Sequence, residues 1–405
     1  MSAIAGLSTI AADDRLAKRN ALVLAVAQAL SGGNNAVIVS TGGIVGALLA
    51  PDRGMATLSI TMMVVGMWAG TLPMGWMAAN YGRRFALQMG TIVGVSSGLI
   101  SCAAVMLGSF ALFCFGAFCG GLYAAGHQSY RFAAADTASE QFRPKAVSWV
   151  LAGGVFASVI GPQLIIYTQN LWQPYLFAAS YIGQAVFAAM AGMVLIFLKI
   201  PRPAARRQGG DGRPLMEIVL TQRFLIAVAC GVATYAMMNL VMTSAPLAMV
   251  DCGHSVTDAT LGLQWHMLAM FAPSFFTGNL IQRFGVNRMV LTGFALMVAS
   301  ALVSISGITV AHFWTGLILL GLGWNFAFIG ATTMVTKCHG PEERNKVQAF
   351  NDFLIFGSMA IGSFASGKIL ATLGWIAINE VLIPPVIAAA VLLIWLALRE
   401  RRSVA

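Results

Sequence analysis

Polar and apolar positions alternate along this chain on one long scale only, with apolar runs of 20 residues or more separated by short polar or glycine-bearing breaks. Twelve runs are predicted, at roughly 20–50, 56–80, 85–108, 110–133, 146–169, 175–200, 221–249, 259–282, 287–308, 311–335, 346–373 and 377–398. About 20 apolar residues are what a helix needs to cross a bilayer. In lipid the backbone must satisfy its own hydrogen bonds, which leaves helices or closed barrels. The runs show no two-residue alternation, and that excludes a barrel. The pattern therefore predicts an all-α integral membrane protein with twelve transmembrane helices. The first and seventh runs are long enough to tilt, kink or project. One polar linker, Pro201 to Thr221, carries Arg202, Arg206, Arg207, Asp211 and Arg213 and divides the chain evenly. The expected domains are a six-helix bundle over 1–200, a cytoplasmic linker over 201–220 and a second six-helix bundle over 221–405.

Composition agrees with that pattern. Of the 405 residues 58% are hydrophobic and 9% charged, against about 25% charged in soluble domains. The net charge of +10 points to membrane orientation, because the basic residues sit in clusters between runs and form no continuous face for nucleic acid. Excess Lys and Arg mark cytoplasmic loops. With the N-terminus inside, only Arg53 and Lys368 of the 24 basic residues fall outside. The expectation is a multi-pass protein of the cell inner membrane with both termini cytoplasmic. The run after Arg19 is too long for a signal-peptide core. The six cysteines show no paired metal-ligand spacing, so neither metal nor disulfide is expected.

The halves repeat. Gly75, Gly82, Arg83 and Arg84 follow the second run; Gly278, Arg283, Gly285 and Arg288 follow the eighth, 203 residues later. Lys145 and Lys346, opening runs five and eleven, are 201 apart. Two matches in register argue for an internal duplication and for pseudo-symmetric six-helix bundles. On these residues the chain resembles the major facilitator superfamily over essentially its full length. The family's loop motif, glycine-x-leucine-alanine-aspartate-arginine-x-glycine-arginine-lysine/arginine, is matched at Gly75, Gly82, Arg83 and Arg84, with Ala79 at the aspartate position and Asn80 at the arginine that follows. The second copy matches at Gly278, Leu280, Arg283 and Gly285, with Gln282 at the aspartate position. The resemblance gives these loops a gating role, from which both acidic members are missing. The fifth-helix glycine-proline motif is matched by Gly153, Gly154, Gly161 and Pro162, and the fourth-helix arginine is absent near Gly116. Pro162 removes a helical hydrogen bond and predicts a kink. Gly75 and Gly82 allow a tight turn and close helix approach, and the span-five glycines allow close packing. The stretches Tyr130–Asp136 and Phe350–Phe356 resemble a branch of alphaproteobacterial permeases that includes riboflavin importers.

Polar residues within apolar runs are costly to bury and are the functional candidates. Span one offers Asn34 and Asn35 after Gly32-Gly33, where a locally irregular helix is expected to line the path or to bond neighbouring helices. Span four offers Tyr123 and His127, sharing a face with Arg131, which reads as an interfacial anchor. Tyr235 and Asn239 lie mid-span in run seven and Trp265 in the outer part of run eight. Run ten carries Trp324, Asn325 and Phe328, where two rings four residues apart offer a flat stacking surface beside an amide, or plain packing. Asp352, six residues into run eleven, is expected to be desolvated and is the proton-coupling candidate; a salt bridge with Lys346 or Arg344 is the alternative. Asp251 and Glu380 read as solvated.

No nucleotide-binding lysine loop or HExxH pattern is present, and the one GxSxG string, Gly94 to Gly98, sits inside an apolar run and not on a strand-to-helix turn, so neither an enzyme nor a cofactor is expected. Few intramembrane charges imply a largely uncharged small-molecule substrate. The expected function is secondary active transport by alternating access, with riboflavin uptake implied by the branch resemblance. A proton-coupled multidrug or metabolite exporter and a non-transporting receptor or scaffold are the alternatives. The expected partners are substrate, lipid bilayer and protons, around a monomer.

Overall fold

A computed structural model describes residues 3–139, 142–200, 212–340 and 343–402. The linker residues 201–211 lie outside the described residues. Helices dominate: α1 (Ala3–Leu49), α2 (Leu58–Tyr81), α3 (Arg83–Leu107), α4 (Phe110–Gln128), α5 (Tyr130–Asp136), α6 (Arg143–Thr168), α7 (Ala178–Leu195), α8 (Leu215–Val219), α9 (Gln222–Asp251), α10 (Val256–Phe271), α11 (Ser274–Phe284), α12 (Val286–Ser306), α13 (Val310–Thr336) and α14 (Arg344–Arg402). Among the described residues ten helices are long and apolar enough to cross a membrane. The difference from twelve runs has two local causes. Spans eleven and twelve are merged in α14, which turns at Gly374 (φ 80°, ψ −174°). Run eight is split between α10 and α11 at Ala272 and Pro273, leaving each piece short.

Other boundaries also moved. Run four ends early, because the Ser129 hydroxyl bonds the Gly126 carbonyl at 2.7 Å and the chain restarts as α5. Arg131, on α5, is exposed. The expected irregularity at Gly32-Gly33 is not there; α1 continues through it. These glycines serve contact instead, since a Cβ on Gly32 would sit 2.6 Å from the Ala157 Cβ of α6. Likewise α6 runs as one helix through Pro162.

The chain forms two compact units, one of residues 1–49 and 62–206 and one of 50–61 and 207–405. The segment 50–61 therefore packs with the later residues. There Arg53 Nη2 meets Asp251 Oδ1 at 2.5 Å, an ion pair in which Asp251 is exposed, in line with the solvated position expected of it. The Thr57 hydroxyl donates to the Ser363 carbonyl at 3.0 Å.

Within each unit the same devices recur. Gly82 (φ 91°, ψ 153°) opens α3 and Gly285 (φ 86°, ψ 152°) opens α12, a left-handed-side conformation that favours glycine. The Ser97 hydroxyl bonds the Gly116 carbonyl at 2.7 Å, and Ser300 bonds Gly316 at 2.7 Å. Helix axes close on glycine in both. A Cβ on Gly121 of α4 would lie 1.9 Å from the Met63 carbonyl of α2, and one on Gly321 of α13 would lie 2.4 Å from the His266 carbonyl of α10. Lipid supplies no hydrophobic drive between helices, so such van der Waals contact carries the packing. A Cβ on Gly75 or Gly278, by contrast, would meet nothing within 4 Å, so close approach is not their role.

The second unit also holds a clasp that the sequence did not announce. Arg213 Nε and Nη2 reach Glu343 Oε1 and Oε2 at 2.8 and 2.9 Å, and the Gly340 N–H reaches Oε2 at 2.9 Å. Arg213 and then the Gly340 N–H hold the Glu343 carboxyl well below the usual carboxylate range. A depressed folded value means that the contribution is complete above the unfolded pKa and lost only as pH falls through the folded one.

Gly121→Val is expected to cost about 3 kcal/mol or more by overpacking, whereas Gly75→Ala stays within about 0.5 kcal/mol; thermal unfolding in detergent checks both. Hydrogen exchange at residues 338–340 and 343–346 is expected to be steady between pH 5 and 8 and to quicken in Glu343→Gln.

Candidate functional site

Each unit brings some of the candidate residues together. In the first, α4 carries Tyr123 and His127 on one face, and α5 adds Tyr130. The Ser31 hydroxyl of α1 lies 2.6 Å from the Tyr123 hydroxyl and 3.1 Å from that of Tyr130. His127 stands between the rings, edge-on to both, with centroids 6.3 Å away on each side. All three side chains are buried. Tyr123 is wedged on Gly94 of α3, where a Cβ would come 2.6 Å from the ring. Neither ring nitrogen of His127 has a hydrogen-bond partner among the described residues. This is a packed aromatic column with one unsatisfied imidazole in it.

Asn34 is not part of that column. Its amide donates to the Gln184 carbonyl of α7 at 2.8 Å, and Gln184 in turn bonds Ser97 at 3.2 Å. Asn35 is half-buried with its Oδ1 unpartnered among the described residues. The two neighbouring amides thus differ in character, one fastening helices and one left available.

In the second unit α9 and α13 assemble three rings. Trp324 and Phe328 stack at 5.0 Å with planes 14° apart, as their four-residue spacing requires. Tyr235 stands edge-on to both, at 5.2 and 4.8 Å. Trp324 is buried, while Tyr235 and Phe328 are half-buried. The indole Nε1 has no partner among the described residues. The group offers apolar ring faces and one unused donor, which suits a flat partner carrying acceptors.

Asn325, next in sequence, points to a different task. Its Nδ2 donates to the Met270 carbonyl at 2.6 Å and lies 2.7 Å from the Ser274 hydroxyl, and its Oδ1 accepts from the Thr277 hydroxyl at 2.6 Å. These partners flank the α10–α11 break, so the amide replaces backbone bonds lost at Pro273. Asn239 donates to the Met359 carbonyl at 3.1 Å and ties α9 to α14. Trp265 is 43% exposed, away from the three rings. Asp352 is exposed, not desolvated as expected, and accepts from Asn351 at 3.1 Å; Lys346 donates to the Arg213 carbonyl, and the Arg344 side chain lies outside the described residues. Of the loop residues, Arg84 is exposed and Arg283 lies over the Phe284 ring at 5.3 Å.

Sequence reasoning missed Ser31, Tyr130, Ser274 and Thr277. A serine in a transmembrane run carries little signal, since it can return its hydrogen bond to its own helix. Tyr130 lay in a stretch noted only for resemblance.

With the geometry in place, comparison with known proteins adds the following. The family model described as Major Facilitator Superfamily matches residues 24–265 and 227–405. The riboflavin transporter RfnT of Brucella anthropi is 46% identical over 384 residues, covering 94% of this chain and 96% of that protein. Among solved structures, the nucleoside transporter NupG matches with a TM-score of 0.71 at 12% identity, over 94% of this chain and 98% of its own. The E. coli xylose transporter XylE, in a partially occluded inward-open conformation, matches with a TM-score of 0.71 at 14% identity, over 93% and 97%. At such identities the structures speak for the fold alone.

Asn325→Leu is expected to cost about 2–3 kcal/mol through the orphaned partners at the break, read as a lowered Tm. Ser31→Ala is expected to cost about 1–2 kcal/mol by leaving two buried tyrosine hydroxyls without their shared partner.

Proposed function

The chain belongs to the major facilitator superfamily, and from that membership we propose that it imports riboflavin across the inner membrane by secondary active transport. The observation that carries this reading is the 46% identity, spread over nearly the whole of both chains, to a riboflavin transporter. The Tyr235–Trp324–Phe328 cluster supports it chemically. Riboflavin presents a flat tricyclic ring for stacking, carbonyl acceptors for a lone indole donor, and a hydroxylated chain that needs no counter-charge.

The mechanism is alternating access, in which the two six-helix halves of such transporters rock about a substrate held near mid-bilayer depth. The substrate leaves chemically unchanged, so the chain acts as a carrier and not as an enzyme. We place both termini in the cytoplasm on the basic-residue asymmetry, and take the working unit to be a monomer. For proton coupling we assign Asp352, whose exposure lets it exchange protons with water, and for the loops after α2 and α11 a gating role resting on the turns at Gly82 and Gly285.

Expression in cells that cannot make riboflavin is expected to restore growth at low external vitamin. Resistance to dyes without rescue identifies an exporter instead, and no labelled flux in liposomes identifies a scaffold. Trp324→Ala is expected to weaken riboflavin binding by about five- to a hundredfold, the range of one aromatic stacking partner, with the Tm measured alongside. Uptake by Asp352→Asn is expected to lose its pH dependence.

A further inference from the structure

The second unit has a recess beside the turn at Gly285, lined by none of the three rings assigned to substrate. It lies at the end of the bundle where α9 and α12 begin and α13 and the second arm of α14 finish. Two adjoining hollows of about 600 and 580 Å³ share Arg223, Lys337, Cys338, Leu396 and Glu400. The cations around them are Arg213, Arg223, Arg288, Lys337 and Arg399, and the sole carboxylate in the lining among the described residues is Glu400.

The pairing is incomplete. Arg223 is held by Glu400 at 2.5 Å, and Arg213 is held by Glu343 at 2.8 Å. Among the described residues Arg399 meets only the neutral Gln222 amide oxygen, at 2.5 Å, and the Trp395 ring. Lys337 and Arg288 have no side-chain partner among the described residues. Lys337 thus lines both hollows, Arg399 the first and Arg288 the second, each without a carboxylate partner among the described residues. The positive-inside bias explains basic residues at this end, but it does not require a concave arrangement of them. Two helices add to the field. α9 starts here, capped by the Thr221 hydroxyl, and α12 starts here with no side chain capping it, so the positive dipole ends of both face the same region and α12 keeps uncapped N–H groups.

Several cations spread around a hollow match an anion with several oxygens better than a lone carboxylate. We propose that the recess is a binding site for a phosphate group. Its apolar margin favours a phosphate carried on a lipid. Met334 and Phe284 line it, Phe284 is 44% exposed, and Leu398 beside the α14 end is 52% exposed. Basic hollows between helix ends at the cytoplasmic face hold anionic headgroups in this way. Free phosphate shares the chemistry and is the other source.

The test uses the purified full chain in zwitterionic nanodiscs, titrated separately with phosphatidylglycerol and with inorganic phosphate, following Tm and lipid retained by native mass spectrometry. Phosphatidylglycerol is expected to raise Tm and to be retained, with an apparent affinity at least tenfold weaker in the Arg288→Gln/Lys337→Gln double variant and in high salt. Lys368→Gln, at the opposite end of α14's first arm, is expected to keep wild-type affinity. Should the double variant not be recovered, Lys337→Gln alone, with an exposed side chain, is expected to weaken binding about threefold. Equal saturation by millimolar inorganic phosphate, lost in the same variants, supports the site and assigns it to a soluble phosphate compound. No preference for phosphatidylglycerol over phosphatidylcholine with no response to phosphate, or undiminished binding in both variants, overturns the proposal.

Discussion

Backbone hydrogen bonds cannot be left open in lipid, and the helices that result have no hydrophobic reason to prefer one another over the acyl chains. What holds this fold is therefore close contact, and close contact here means glycine against a carbonyl. Gly121 sits so near the Met63 carbonyl, and Gly153 so near that of Ala25 (2.2 Å from a Cβ built on it), that any side chain would push the helices apart. The aromatic column and the three-ring cluster are consequences. Tyr123 reaches its place because Gly94 leaves room for its ring, and α13, which carries Trp324 and Phe328, is held close to its neighbours through Gly321 and Gly323.

The same constraint explains the fate of most buried polar groups. Asn34, Asn239, Asn325, Ser97 and Ser300 all spend their hydrogen bonds on carbonyls or hydroxyls of other helices. Each such bond is worth about 0.6 kcal/mol on average in a membrane interior, and removing one partner costs more because it leaves the other buried and unsatisfied. Once they are set aside, the polar groups left available are few: the His127 ring nitrogens, the Asn35 oxygen and the Trp324 indole among them. A carrier for a largely uncharged solute needs no more than a few such groups set among rings.

Function was legible to unequal depth. The family and the duplicated halves followed from Gly82, Gly285 and the paired basic residues, because a loop glycine forced to positive φ leaves the same mark in both copies. The stacking of Trp324 on Phe328 was legible for the same local reason, their spacing along one helix. Asn325 looked equally suited to a ligand, but its partners Met270, Ser274 and Thr277 lie about 50 residues away, and spacing says nothing about them. Asp352 was expected to be desolvated from its depth in a run, yet which way its helix is turned decides exposure.

The chain's pattern by itself determined that it lives in a bilayer and roughly where its apolar passes fall, since lipid solvation acts on each segment separately. Only the tertiary structure decided which polar side chains are fastened to neighbouring helices, where runs break at Ser129, Pro273 and Gly374, and that Arg213 and Glu343 close on each other across the second unit. Those outcomes depend on distances between residues far apart in sequence, and such distances exist only after the helices have packed.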